Sequence, residues 1–158
     1  MYPSVQNSFI AFNEPLEDRV PFMYLDVKSL VTTGIGNLID ADDPKHFGTN
    51  AHLLPDAYNL GWSDQHSHVA ASRDEIDQEY RTVKFSGTAG RPIQERKLVT
   101  RLRITDVVID QFVISKLHQM ENRLQGRTEF ADLQNWPADA QLALFSICLL
   151  YTSILAGI

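Results

Sequence analysis

Residues 17–37 read EDRVPFMYLDVKSLVTTGIGN, and this stretch decides the fold class. Pro21 bars a long helix here. Residues 23–26 and 30–33 read as two short strands, with Val27, Lys28 and Ser29 as the turn between them. A lone hairpin is marginal in water and needs helices behind it.

Those helices are legible on either side. Residues 4–13 form a short one, with Ser4 as cap and Val5, Phe9 and Phe12 on one face. Pro15 limits its extension, so Glu17 sits at the helix end or just past it. Residues 40–68 are rich in Asp, Pro, Gly, Asn and His and read as loop, with an apolar patch at Leu53, Leu54 and Pro55. Ser72 caps a helix to residue 84, with Glu75 at its third position and Ile76, Tyr80 and Val83 sharing a face. Residues 86–92 are a break. Thr105 caps the longest helix, to residue 124, with Val108, Phe112, Ile114 or Ser115, and Leu117 on its apolar side. Trp136, Pro137, Ala138 and Asp139 open a last helix. The fold class is α+β, a small N-terminal lobe with a β-hairpin plus a mainly helical lobe.

The chain has 158 residues, 44% of them hydrophobic and 22% charged, which suits one packed domain. The longest apolar run, at the C-terminal end, is too short to span a bilayer. Met1-Tyr-Pro-Ser lacks the basic and apolar regions of a signal peptide. The single cysteine, Cys148, excludes an internal disulfide and a multi-cysteine zinc site. The net charge of −6 is uneven: residues 1–80 carry 13 acidic and 4 basic groups (−9), residues 81–158 carry 7 and 10 (+3). The basic half suits an anionic polymer, but no basic–aromatic cluster points to nucleic acid.

The chemistry concentrates in the opening stretch. Asp26 follows Glu17 by nine positions, and Thr32 follows Asp26 by six. A general acid, a water-positioning carboxylate and a small hydroxyl are what hydrolysis of a glycosidic bond requires. Gly34 and Gly36 allow close backbone approach to a substrate. Taken as spacing alone, a Glu at a helix end and an Asp beside a turn are also an ordinary solvated pair. Other candidates are weaker. His66 and His68 with Asp64 lack a third metal ligand at a typical spacing. Gly34-Ile35-Gly36 lacks the third glycine and helix of a dinucleotide site. No nucleophile-elbow sequence supports a Ser/His/Asp triad. Tryptophan is more often a core residue, but of Trp62 and Trp136 the better candidate for a sugar contact is Trp62, because its loop is polar.

The stretch from Glu17 to Gly36 resembles the active-site segment of the phage-type lysozymes, glycoside hydrolase family 24 and relatives. Glu17, Tyr24, Asp26, Thr32, Gly34 and Gly36 each fill a place in that pattern. Many members carry His after the second glycine; Asn37 stands here, as in a bacterial and phage branch reading Asn-Leu-Ile-Asp. The likeness continues through the helix at Thr105, similar to the one joining the two lobes. It extends to Trp136–Ala143, similar to the start of a central C-terminal helix.

The resemblance implies a lysozyme-like fold with a C-terminal lobe cut short. Residues 1–147 form the catalytic domain. Residues 148–158 begin CLLYTS, which resembles a translated sequencing adapter, and are expected to be a non-native tail; the alternative is a genuine apolar helix end. The implied reaction is hydrolysis of the β-1,4 bond between N-acetylmuramic acid and N-acetylglucosamine in peptidoglycan, with inversion. Glu17 is its general acid, and Asp26 and Thr32 position the water. Tyr24, Gly34, Gly36 and Asn37 contact substrate, with no metal or cofactor. A monomer is expected, delivered to the cell wall by secretion machinery or a holin. The alternative is an inactive fragment or a glycan-binding module.

Overall fold

In the computed structural model, residues 1–41 and 51–150 are described. Pro3 opens the first helix, α1 (Pro3–Glu17), its ring presetting the helical dihedral. Ser4 is therefore inside the helix rather than its cap. Pro15 does not stop α1 either. It forgoes one backbone bond, yet the helix runs two residues further and closes where Asp18 turns to φ 57° and its N–H donates to Glu14 O at 2.9 Å. Val5, Phe9 and Asn13, spaced by four, are the buried face, while Phe12 is exposed.

Strands β1 (Val20–Leu25) and β2 (Val31–Gly34) pair antiparallel, and β3 (Asn37–Leu38) completes a sheet in the order β1-β2-β3. Tyr24 faces Thr32 and Leu25 faces Val31, but Val20 faces Gly34, so β1 holds extra residues between Val20 and Tyr24. Pro21, which has no N–H for the ladder, lies in this irregularity, and its carbonyl accepts from Ile104 N–H at 2.9 Å. Both faces of β1 are covered, and Val20, Phe22 and Tyr24 pack with Ile93.

Helix α2 (Arg73–Lys84) follows the sequence reading closely. Ser72 and Glu75 form a reciprocal capping box, and Ile76, Tyr80 and Val83 are buried. Strand β4 (Ser63–Asp64), which precedes α2, pairs antiparallel with β5 (Leu102–Arg103), which follows the short α3 (Ile93–Lys97). Thr105 caps α4 (Asp106–Gln125), its hydroxyl accepting from Val108 N–H at 3.3 Å. The buried side of α4 is Ile109, Phe112, Val113, Leu117, Met120 and Leu124, about a residue out of step with the face expected from Val108.

Helix α5 (Ala138–Leu150) packs on α1. Phe145 is fully buried there and Leu142 and Leu144 half-buried. Cys148 and Leu149 are buried as well, so α5 continues through the start of the expected non-native tail; residues 151–158 lie outside the described residues. Part of the expected loop region, residues 42–50, also lies outside them.

The fold is α+β, in two compact units. Of the described residues, one unit comprises 1–19, 35–37 and 110–150, and the other comprises 20–34, 38–41 and 51–109. The first is helical and includes α1. The second carries the hairpin together with α2 and α3. Among the described residues no helix is long and apolar enough to cross a membrane.

Candidate functional site

Glu17, Gly36 and Asn37 belong to the helical unit; Tyr24, Asp26, Thr32 and Gly34 belong to the hairpin unit.

In the helical unit, Glu17 is the last residue of α1 and half-buried. Its carboxylate lies against Gly36: a Cβ at residue 36 would stand 2.7 Å from Oε2, 3.0 Å from Cδ and 3.1 Å from Cγ. Gly36 also has φ +62°, a region that L side chains rarely adopt. Two requirements thus meet at one glycine. Leu16, next to Glu17, is 59% exposed.

Asn37 is only 1% exposed, and neither amide atom of its side chain has a hydrogen-bond partner among the described residues; the same holds for Asn13 Oδ1 on α1. Arg19, two residues past Glu17, binds both oxygens of Glu14, at 3.1 and 3.0 Å, and Asp110 Oδ1 on α4 at 2.8 Å. The hydrogen bond from Arg19 holds the Glu14 carboxyl below its usual value. Glu14 therefore stays ionised near neutrality and is a poor general acid.

In the hairpin unit, Asp26 closes the β1–β2 turn. Its Oδ1 accepts the N–H groups of Lys28 at 2.8 Å and Leu30 at 2.9 Å, and its own N–H donates to Leu30 O at 2.9 Å. Ser29, at φ 60°, supplies the left-handed step. Thr32 is buried and donates weakly, at 3.5 Å, to the same Leu30 carbonyl. The structure thus brings Asp26 and Thr32 to the two sides of Leu30. Tyr24, opposite Thr32, is 7% exposed, and the Arg96 guanidinium lies 5.1 Å over its ring. Gly34 is buried at φ 64°.

A cluster that sequence reading did not single out lies behind this turn. Asp40 accepts Val31 N–H at 2.9 Å, the Tyr80 hydroxyl at 2.9 Å and the Lys84 ammonium at 2.7 Å. Lys84 also donates to Ser29 O at 3.0 Å. Both charged side chains are fully buried. The signal for it was faint: an Asp after an apolar pair, and a Lys one position beyond Val83 on the inward face of α2.

One expectation is corrected. Trp62 is not a sugar contact. It is 1% exposed and its indole N–H donates to Ala57 O at 2.8 Å, because a 3-10 turn over Pro55–Asn59 folds the polar loop back over it. Trp136 is the half-buried one, tilted against Phe130 with ring centres 5.9 Å apart. At His66 and His68, the Asp64 carboxylate is engaged by the N–H groups of His66 and Ser67, each at 2.9 Å. Among the described residues no three His, Cys, Asp or Glu side chains gather as a metal site.

No family model, curated protein or solved structure matches this chain.

Proposed function

We propose that this chain is a lysozyme-like muramidase, a hydrolase of the β-1,4 bond between N-acetylmuramic acid and N-acetylglucosamine in peptidoglycan. The observation that carries the reading is the fit of Glu17 to Gly36. In the resembled pattern a catalytic Glu precedes a Gly-x-Gly at this spacing, and here the second glycine is the residue that gives the Glu carboxylate its room.

Glu17 is the proton donor to the leaving oxygen. Asp26 orients the attacking water together with Thr32, which by family likeness leads to inversion. The local geometry supports that pairing, since one residue, Leu30, is bonded to both side chains. Tyr24, Gly34, Gly36 and Asn37 form the substrate-facing segment. The burial of Tyr24 and Asn37 favours contact through backbone groups there over contact through their side chains. The reaction needs no cofactor. The protein acts on the cell wall after delivery by secretion machinery or a holin.

The test is digestion of purified peptidoglycan followed by mass spectrometry of the soluble fragments. New reducing ends on N-acetylmuramic acid support the reading. Anhydro ends, reducing ends on N-acetylglucosamine, or an undigested wall would refute it.

A further inference from the structure

Asp40 and Lys84 are a buried ion pair that the proposed reaction does not use. Burying two charges is expensive, and a pair of matched apolar side chains serves stability as well or better. Their contacts show what else the pair does. Lys84 reaches from α2 to the carbonyl of Ser29, inside the turn that Asp26 closes. Asp40 reaches to the N–H of Val31, the residue between Leu30 and Thr32. Tyr80, one turn before Lys84 on α2, fixes the other oxygen of Asp40. The pair therefore grips the backbone on both sides of Leu30. That residue's own N–H holds Asp26 Oδ1 and its carbonyl takes the Thr32 hydroxyl.

We propose that Asp40 and Lys84 are positioning residues that hold the turn carrying Asp26 and the strand carrying Thr32 in working geometry. The inference rests on the reading of Asp26 and Thr32 as the water-orienting groups. Neither Asp40 nor Lys84 touches substrate. Their effect passes through the main-chain atoms of Ser29 and Val31, on either side of Leu30 and next to the left-handed step at Ser29.

The experiment uses Lys84→Met and Tyr80→Phe, each checked for folding by circular dichroism. Amide exchange is followed at Lys28 and Leu30, the two donors to Asp26. In Lys84→Met these amides should exchange about tenfold faster, while Val113 on α4 keeps its protection. Turnover on peptidoglycan should fall by on the order of 10²-fold, the loss expected from a small misplacement of a reacting group. KM should stay within about twofold, since such a loss lies in the transition state and not in binding. On an Asp26→Asn background the same substitution should cost almost nothing more, because the two act as one unit.

Tyr80→Phe removes one hydroxyl and should show the same pattern more weakly, so it decides the question if Lys84→Met does not fold. Unchanged exchange at Lys28 and Leu30 in a folded variant would overturn the inference. So would full turnover with a loosened turn, or a loss that adds undiminished to Asp26→Asn. A wild-type chain that cuts no peptidoglycan would sink the muramidase reading instead, and the exchange data would still decide whether the pair holds the turn.

Discussion

Glu17 lays its carboxylate where any side chain on Gly36 would begin, with Oε2 only 2.7 Å from the place of a Cβ. The end of α1 and the approach to β3 are therefore matched to each other, within one unit, at the residue proposed to donate the proton.

The first expectation concerns that match. Gly36→Ala meets a left-handed dihedral, a cost of about 1–2 kcal/mol, and also pushes the carboxylate aside. Gly61 is the control: its φ is +65° but nothing lies within 4 Å of its Cβ position. Both alanine variants should melt about 2–8 °C lower, at roughly 2–4 °C per kcal/mol. Only Gly36→Ala should lose turnover. Equal turnover in the two would separate Gly36 from the acid.

Asp26→Asn isolates charge from geometry. An asparagine keeps the oxygen that accepts the Lys28 and Leu30 amides, so the turn and the melting temperature should survive. Turnover should drop by on the order of 10²-fold or more. Thr32→Ala should act in the same direction, with binding to insoluble peptidoglycan retained in both. Lost binding with normal turnover of the remainder would contradict the assigned role.

The buried pair sets a stability expectation of its own. Lys84→Met removes the ammonium that faces the buried Asp40 carboxylate, and breaking a buried pair costs about 3–5 kcal/mol. Against a total of about 5–15 kcal/mol, that is a large loss. The double variant Asp40→Leu with Lys84→Met removes both charges and should be more stable than Lys84→Met alone. Urea unfolding of the three proteins checks the order, and a double variant weaker than the single one would refute it.

Two carboxylates should bend the pH profile in opposite senses. Glu14 is lowered, chiefly by the hydrogen bond from Arg19. Its contribution is present above the unfolded value of 4.5 and is lost as pH falls through the lower folded value. Glu79 is raised by burial, which outweighs the N–H groups of Arg101 and Leu102 that it accepts. Its contribution is complete below 4.5 and is lost as pH rises through the higher folded value. Thermal melts of Glu14→Gln should show a shallower acid limb than wild type. Those of Glu79→Gln should lose less stability between acid and neutral pH. A steeper profile in either variant would reverse the sign argued here.

Where local rules act alone, the sequence was readable. The capping box at Ser72 and Glu75 and the cap at Thr105 are contacts within one turn, and both helices begin where these residues stand. The hairpin was readable from its strand composition, though not its irregular register, which depends on Pro21 meeting Ile104 far along the chain. Pro15 misled because packing of α1 on α5 outweighs one missing backbone bond. Trp62 misled because the polarity of its neighbours says little about where its ring is folded. Within the candidate site, residue types and spacing were legible at Glu17, Asp26 and Thr32. Asp40 was not, since its partners Tyr80 and Lys84 lie 40 and 44 positions away and no local pattern marks such a pairing.

The central claim is that Glu17 is the general acid of peptidoglycan hydrolysis, and Glu17→Gln tests it most directly. The amide preserves shape beside Gly36 but has no proton to give. Release of reducing ends from purified peptidoglycan should fall by about 10²–10⁴-fold relative to wild type, with an unchanged melting temperature. Activity that stays within about tenfold of wild type, short of the range expected for a lost general acid, would contradict the account.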